Sequence, residues 1–243
     1  MMSNKTVLIT GAARRVGKAL TKRFALEGWN VVIHYNYSKN DALKLSTELS
    51  QLFPQQIFPI IGADLSYGEQ TVIELFDNLS KLSIDKLDAL INNASVFYPG
   101  SLKETDSSLL HKSFKINFEA PFFMMRHYYL KFGYGTILNL LDTRIVDNES
   151  SHAAYSLSKK ALMHATTMAA LEWAPSVRVN GVAPGPVLPP PGKDETHLRE
   201  VIESTPLQKR VELDNLVESA YFLTTNDAIT GQIIFCDSGA HLK

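Results

Sequence analysis

The amino-acid sequence predicts an α/β fold in which helices cover both faces of a parallel sheet. Short apolar runs typical of strands alternate along the chain with longer segments of helical periodicity. The 243 residues, 45% of them hydrophobic, suffice for one domain with a sizeable core, although two small domains would fit the same length. Because we find no linker and no internal repeat, we predict one doubly wound domain over residues 1–243.

Seven runs have the apolar, β-branched character of buried strands, which predicts a seven-stranded sheet. They lie at residues 6–10, 30–36, 57–61, 87–91, 135–141, 176–182 and 232–235. In sheets of this kind, ligands bind beyond the carboxyl ends of the strands. The polar residues that follow these runs are therefore the first candidates for a functional site.

The first strand-like run leads through a turn of small residues into a helical pattern. Gly11 would let the chain turn sharply and approach a ligand, and Gly17 would let the helix pack closely against the strand. The free N–H groups of a helix N-terminus bind phosphate. This segment therefore favours a site for a dinucleotide pyrophosphate, with a loop that merely turns as the alternative.

Tyr155 and Lys159 lie four residues apart in a segment of good helix formers, so both side chains lie on one helix face. A neighbouring ammonium stabilises a phenolate, so we expect Lys159 to lower the pKa of Tyr155 towards neutrality. Tyr155 could then act as a general acid. A solvated helix face is the alternative for this spacing taken alone.

Several motifs together resemble the short-chain dehydrogenase/reductase family over essentially the whole chain. They are Thr10-Gly11-x-x-x-Arg15-x-Gly17, Asn92-Asn93-Ala94-Ser95, Asn117, Tyr155-x-x-x-Lys159 and Asn180-Gly181-Val182-Ala183-Pro184-Gly185. The resemblance implies a Rossmann domain that binds a nicotinamide dinucleotide. Three features resemble the pteridine reductase and dihydromonapterin reductase branch: Arg15 in place of a glycine, the string from Asn93 to Pro99, and Asp142 in place of a serine.

The cofactor expected is NADPH. No acidic residue ends the second strand to repel a 2′-phosphate, and Arg14 or Arg15 could pair with it. Pteridine reductases commonly carry a second arginine where this chain has Tyr37, which leaves Arg15, Ser38 and Lys39 to hold that phosphate. The cofactor-binding residues that we predict are Gly11, Arg14, Arg15, Val16, Gly17, Asn36, Tyr37, Ser38, Asp64, Leu65, Asn93, Ala94, Ser95, Tyr155, Lys159, Pro184 and Gly185. The resemblance has Asp64 accept from the adenine amino group; capping a helix is its alternative.

The substrate residues implied by the resemblance are Ser95, Phe97, Asp142 and Tyr155. In that branch the phenylalanine sandwiches a pterin against the nicotinamide, and the serine touches its polar edge. A carboxylate beside a developing alkoxide would slow ketone reduction, whereas an acid beside an imine nitrogen would assist reduction of C=N. We therefore expect the catalytic residues Asp142, Tyr155, Lys159 and Asn117, with Thr143 as the alternative to Asp142.

The function expected is NADPH-dependent reduction of a dihydropterin, such as dihydromonapterin, dihydrobiopterin or dihydrofolate, at a ring C=N. A carbonyl reductase of 3-oxoacyl thioesters is the alternative within enzymes. A sensor or scaffold that binds NADP without turnover is the alternative of another class, which the intact Tyr155 and Lys159 disfavour. Residues 184–205, which begin with a proline-rich stretch, are expected to form a loop over the substrate.

Composition bears on partners and location. The net charge of −1 argues against a nucleic-acid-coating or strongly membrane-attracted surface, and no metal-ligating pattern occurs. The single Cys236 cannot form an internal disulfide, and no apolar run is long enough to target or span a membrane, so we expect a cytoplasmic protein. The resemblance implies a homo-oligomer, commonly a tetramer, paired through helices around residues 106–130 and 152–173.

Overall fold

The computed structural model describes residues 4–189 and 195–243. Seven parallel strands form one sheet in the order β3-β2-β1-β4-β5-β6-β7, as the alternating pattern predicts. The strands are β1 Thr6–Ile9, β2 Asn30–Tyr35, β3 Ile60–Gly62, β4 Ala89–Asn92, β5 Gly135–Leu140, β6 Val177–Pro184 and β7 Ile233–Cys236. The helices are α1 Arg15–Leu26, α2 Lys39–Leu52, α3 Glu69–Lys81, α4 Ser107–Phe114, α5 Ala120–Phe132, α6 Ala153–Glu172, α7 Glu195–Ser204 and α8 Leu213–Thr225.

Helices cover both faces of the sheet, as predicted. One face packs against α1, α2 and α8 through side chains such as Phe24, Leu45 and Leu216. The other packs against α3, α5 and α6 through side chains such as Leu75 and Met124. Since most strand residues are buried between these layers, polar side chains with ligand chemistry collect beyond the ends of the strands.

The third strand departs from its predicted bounds. It begins at Ile60 and ends at Gly62, whereas the apolar pattern predicts residues 57–61. The carbonyl groups of Ile57 and Pro59 accept hydrogen bonds from β2, but proline has no N–H to donate in return. The ladder therefore starts only after Pro59. The other strand boundaries shift by one or two residues, which leaves the position of every predicted strand correct.

The chain reverses its direction of winding between β1 and β4, which lie side by side in the sheet. Their carboxyl ends carry Gly11 and Asn93, so the two segments meet in a crevice at this switch point. The predicted substrate loop over residues 184–205 is helical in part, because α7 occupies Glu195–Ser204. Residues 190–194 of that loop lie outside the described residues. Among the helices of the described part of the chain, none has the length and apolar character needed to cross a membrane.

Candidate active site

The glycine loop between β1 and α1 is tightly packed. Gly11 has a φ of +62°, a conformation that favours glycine. A Cβ on Gly17 would lie 2.1 Å from the carbonyl oxygen of Gly11, so only glycine lets α1 approach the loop this closely. Asn93, at the end of β4, donates its amide to the carbonyl oxygens of Thr10 and Gly11. The conformation of the glycine loop is therefore fixed by the turn at Gly11 and by the hydrogen bonds from Asn93, which follows β4.

A cleft of about 470 Å³ lies along this loop and the ends of β2, β3 and β4. It brings together most of the predicted cofactor residues: Gly11, Arg14, Arg15, Val16, Gly17, Asn36, Tyr37, Ser38, Leu65, Asn93, Ala94 and Ser95. His34, Ala63, Val96 and Ile116 also line it. Of the predicted cofactor residues, Asp64, Tyr155, Lys159, Pro184 and Gly185 do not line this cleft.

The charges around the cleft suit an anion. Among the described residues, none of the side chains lining it is acidic, and two arginines lie at its edge. Arg14 pairs with Asp41 of α2, and Arg15 donates to the carbonyl oxygen of Pro189 at 2.7 Å. Both arginines are exposed and so are accessible to a phosphate group.

Asp64 and Tyr37 lie together at one end of the cleft. The Asp64 carboxylate accepts from the Ser66 N–H and so caps the short turn after β3, as the alternative interpretation has it. It also accepts from the hydroxyl of Tyr37, whose side chain is exposed. These contacts leave further acceptor capacity on Asp64, because an ionised carboxylate has about four lone-pair sites.

Asp142, Tyr155 and Lys159 converge beyond the end of β5. The Tyr155 hydroxyl donates to Oδ2 of Asp142 at 2.7 Å. Lys159 lies one turn further along α6, and its Nζ donates to the carbonyl oxygen of Leu140 at 2.6 Å. Tyr155 and Lys159 are both buried, with exposed fractions of 5% and 3%. The paired tyrosine and lysine therefore lie in the interior and are not a solvated helix face.

The ionisation of these groups differs from the prediction. The expectation that Lys159 lowers the pKa of Tyr155 is wrong: burial and the adjacent Asp142 carboxylate raise the pKa of the phenol well above its usual value. Burial also raises the pKa of Asp142 and lowers that of Lys159 to about 8. The tyrosine therefore keeps its proton and donates it in a hydrogen bond to Asp142.

Thr143, the alternative to Asp142, points elsewhere. Its hydroxyl donates to Oδ2 of Asp237 at 2.7 Å, and Asp237 also accepts from His241. Of the two residues, Asp142 is thus the one bonded to Tyr155. Gly185, at the end of β6, lies against Asp237 so closely that a Cβ there would be 2.7 Å from the Asp237 Cα. Pro184 pairs with Cys236 of β7.

Asn117 holds the loop that carries the predicted substrate residues. Its Oδ1 accepts from the Ser95 hydroxyl and the Val96 N–H, and its Nδ2 donates to the Val96 carbonyl oxygen. Asn117 is fully buried within a π-helical turn, Lys115–Glu119, between α4 and α5. Such turns occur frequently at functional sites. Its predicted catalytic role stays a prediction.

Phe97 lies at the mouth of the site beside Tyr155, with the two ring centroids 4.6 Å apart and the rings perpendicular. His152, which directly precedes α6, stacks on Phe97 with 3.9 Å between the centroids. The sequence predicts Phe97 as a stacking platform for a substrate ring but gives no indication that a histidine covers one of its faces. Ser95 slightly lowers the pKa of Tyr155, against the larger effects of burial and Asp142.

A family model described as enoyl-(acyl carrier protein) reductase matches residues 11–241 of the chain. The chain belongs to the short-chain dehydrogenase/reductase family.

Three relatives within this family show its range. Pteridine reductase 1 of Leishmania tarentolae is 32% identical, with 97% of this chain and 96% of that protein covered. Glucose and ribitol dehydrogenase homolog 2 of Arabidopsis thaliana is 30% identical, with 98% and 86% covered. The crystal structure of FolM alternative dihydrofolate reductase 1 from Brucella suis, in complex with NADP, is 30% identical with a TM-score of 0.90 and covers 100% of this chain and 97% of that one.

Two residues of this family member's site escape prediction from sequence. His34 lies in an apolar strand and binds Gly11 and Ala63, which are 23 and 29 residues away in sequence. His152 contacts Phe97 only because two separate loops meet. A polar residue inside an otherwise apolar strand run was the available signal for His34, and the i, i+3 spacing from His152 to Tyr155 was the signal for His152.

Proposed function

We propose that the cleft binds NADPH. The Gly11 and Gly17 positions allow a backbone to approach a pyrophosphate at the N-terminus of α1, and the lining holds no acidic side chain among the described residues. Arg15 would pair with the 2′-phosphate, supported by Arg14 and Ser38 at the same edge. The related Brucella protein was solved with NADP, which supports the same assignment here.

We propose that the reaction is reduction of a dihydropterin ring C=N to the tetrahydropterin. The observation that carries this proposal is the hydrogen bond from Tyr155 to Asp142, because it puts a carboxyl group where a ketone reductase needs a neutral donor. Bound NADPH supplies the hydride that adds to the carbon of the C=N bond. The chain itself has to bind the ring and deliver one proton to its nitrogen.

The proton comes from the Asp142 and Tyr155 pair. Burial raises the pKa of both groups, so the pair retains a proton near neutral pH. The Tyr155 hydroxyl gives that proton to the ring nitrogen as the adjacent carbon gains hydride, and the Lys159 ammonium balances one of the two negative charges then left on Tyr155 and Asp142. Because Asp142 is only half-buried, a proton from solvent then restores the pair.

The substrate ring would lie at Phe97 and Ser95. The Phe97 ring is half-buried, and Asn117 fixes the backbone just before it. An aromatic ring held in this way offers a flat surface to a planar bicycle. We propose that His152, stacked on the opposite face, keeps the Phe97 ring in place, and that the segment 184–205 closes the remaining side of the site.

A carbonyl substrate is the second candidate, and the resemblance to the glucose and ribitol dehydrogenase homolog favours it. The family model, which is described as enoyl-(acyl carrier protein) reductase, supports a thioester substrate as a further candidate. In both reactions an oxygen or an enolate gains negative charge, which the Asp142 carboxylate would oppose. We therefore place these reactions below C=N reduction.

The test is NADPH oxidation by the purified protein with a panel of substrates. We expect rapid turnover with dihydromonapterin, dihydrobiopterin or dihydrofolate, and little with a 3-oxoacyl thioester, glucose or ribitol. Tyr155→Phe should remove most of the activity. Turnover with a ketone or sugar and none with any dihydropterin would overturn the substrate assignment, and no turnover combined with tight NADP binding would favour a sensor or scaffold.

A further inference from the structure

His34 is a buried histidine that binds two backbone segments of the dinucleotide cleft. Its side chain projects from β2 and is 2% exposed. Nδ1 accepts from the Gly11 N–H at 3.1 Å, and Nε2 lies 3.1 Å from the carbonyl oxygen of Ala63 at the end of β3. Because Nδ1 is an acceptor here, the ring is the neutral tautomer with its proton on Nε2, which donates to Ala63.

The backbone of His34 adds a second contact to the glycine loop. Its carbonyl oxygen accepts from the Ala12 N–H at 2.9 Å, so two consecutive amide groups of the glycine loop bind this one residue. On the other side of the loop, Asn93 donates to the carbonyl oxygens of Thr10 and Gly11. The turn at Gly11 is therefore hydrogen-bonded on both sides, by His34 and by Asn93.

The second partner of the ring, Ala63, directly precedes Asp64. The imidazole thus connects the loop expected to face the pyrophosphate with the segment expected to face the adenine. Burial lowers the pKa of His34 to about 4, and only the charge of nearby Asp64 and the bond to Ala63 oppose this shift. The ring consequently stays neutral, and Nδ1 stays an acceptor, throughout the physiological range of pH.

We propose that His34 is a positioning residue of the dinucleotide site: its neutral ring ties the backbone of Gly11 to that of Ala63 and holds the two sides of the cleft at the separation that NADP requires. The residue touches neither the hydride nor the substrate, so its effect is on cofactor affinity. The inference depends on the proposed NADPH binding, but it is independent of the substrate.

Two substitutions that introduce amide side chains test the two hydrogen bonds of the His34 ring separately. Asparagine places its amide oxygen near the position of Nδ1, so His34→Asn keeps an acceptor for the Gly11 N–H. Glutamine places its amide nitrogen near the position of Nε2, so His34→Gln keeps a donor for Ala63 but removes the acceptor for Gly11. Val32→Ala is the matched control, because it removes buried volume from the same strand without touching the loop.

The experiment is calorimetric titration of each folded variant with NADP, without substrate. We expect His34→Asn and His34→Gln each to bind NADP about tenfold more weakly than the unaltered protein, because each breaks one of the two hydrogen bonds of the ring, as for one lost hydrogen bond of the usual net value. Val32→Ala should bind NADP as tightly as the unaltered protein. Equal affinity of the glutamine variant and the unaltered protein would overturn the proposal, as would equal weakening in the valine variant.

A second measurement serves if the glutamine variant does not fold. In the unaltered protein, nitrogen NMR of the histidine side chains should show the Nε2–H tautomer for His34, and the Gly11 and Ala12 amides should exchange slowly with solvent. An Nδ1–H tautomer, or fast exchange at Gly11, would overturn the proposal. Binding of NADP by the unaltered protein is the reference for both tests; without it the cofactor assignment itself fails, whatever the variants do.

Discussion

At the scale of single residues, the site depends on the protonation states of Asp142, Tyr155 and Lys159. The Tyr155 hydroxyl donates to Asp142, and the Lys159 ammonium donates to the carbonyl oxygen of Leu140 at the end of β5. Burial favours the neutral form of each of the three side chains. Loss of any one charge therefore changes the protonation of the others, and the proton transfer that we propose draws on this coupling.

Lys159 should set the alkaline limit of cofactor binding. Its pKa is about 8, and the Asp142 carboxylate raises that value against the effect of burial. We therefore expect NADPH affinity to fall as pH rises through about 8, because Lys159 loses its proton. In Asp142→Asn the carboxylate charge that raises the pKa of Lys159 is removed. That pKa therefore falls, and the alkaline limit of NADPH binding moves to lower pH. Fluorescence titrations with NADPH between pH 6 and pH 10 measure both profiles.

The control for this prediction is Lys160→Gln. Lys160 follows Lys159 in α6 but donates to the carbonyl oxygen of Asp147, outside the site. Its substitution should leave the alkaline limit unchanged. A limit that stays in place in Asp142→Asn, or one that moves in Lys160→Gln, would show that another group controls binding.

The sequence predicts part of this residue-level account. Spacing on one helix identifies Tyr155 with Lys159, and the resemblance identifies Asp142. The choice between Asp142 and Thr143 could not be made, because it depends on Asp237, which lies 94 residues from Thr143 and bonds to it. The direction of the Tyr155 pKa was missed for a similar reason. The spacing of Tyr155 and Lys159 identifies the nearby cation, but it does not reveal the burial that raises the pKa of Tyr155.

At the scale of elements, the start of α1 carries backbone strain. Arg15 is the first residue of the helix and has a φ of +48°, in the left-handed region. For a residue other than glycine this conformation costs about 1 kcal/mol or more. The resembling family commonly has glycine at this position. We infer that the strain is tolerated because the guanidinium reaches the phosphate edge of the cleft.

Arg15→Gly should therefore separate stability from cofactor preference. Relief of the positive φ should raise the free energy of unfolding by up to about 1 kcal/mol. Loss of the guanidinium should lower the preference for NADPH over NADH about 10- to 100-fold, as expected for a charged hydrogen bond. Denaturant unfolding without cofactor and the ratio of kcat/KM for the two cofactors measure these effects.

Arg14→Gly provides the comparison. Arg14 has a φ of −137°, which any residue adopts, and pairs with Asp41. Its replacement should bring no gain in stability and a smaller change in cofactor preference. The interpretation of Arg15 fails if the two variants behave alike.

Periodicity predicts the strands and the long helices well because their apolar patterns extend over many residues. It does not reveal the π-helical turn at Lys115–Glu119, since a single turn of five residues is too short to give a pattern of its own. It also places the start of β3 too early, because Ile57 and Phe58 continue the apolar run before Pro59 interrupts the ladder.

At the scale of the whole molecule, large apolar side chains are exposed on α5 and α6. Phe122, Met168 and Leu171 are 41%, 68% and 85% exposed, whereas Met124 and Leu162, on the same two helices, are buried in the core. Some apolar side chains of α5 and α6 therefore belong to the core, and others face outwards. We propose that the outward part is an interface between copies of this chain.

Charge at this surface should disrupt the oligomer. We expect the unaltered protein to behave as a tetramer in light scattering, and Met168→Glu combined with Leu171→Glu to give smaller species, because burying two carboxylates between helices is costly. Leu26→Glu is the matched control, since Leu26 on α1 is 67% exposed and lies outside the proposed interface. A monomeric unaltered protein would contradict this proposal.

The measurement that tests the central claim most directly is the substrate preference of Asp142→Ser. Serine restores the neutral hydroxyl that polarises a carbonyl and removes the carboxyl that serves a ring nitrogen. The account predicts that kcat/KM for dihydropterin falls about 100-fold, as for a lost general acid, while activity with a ketone or 3-oxoacyl thioester rises. Unchanged dihydropterin reduction by this variant would contradict it.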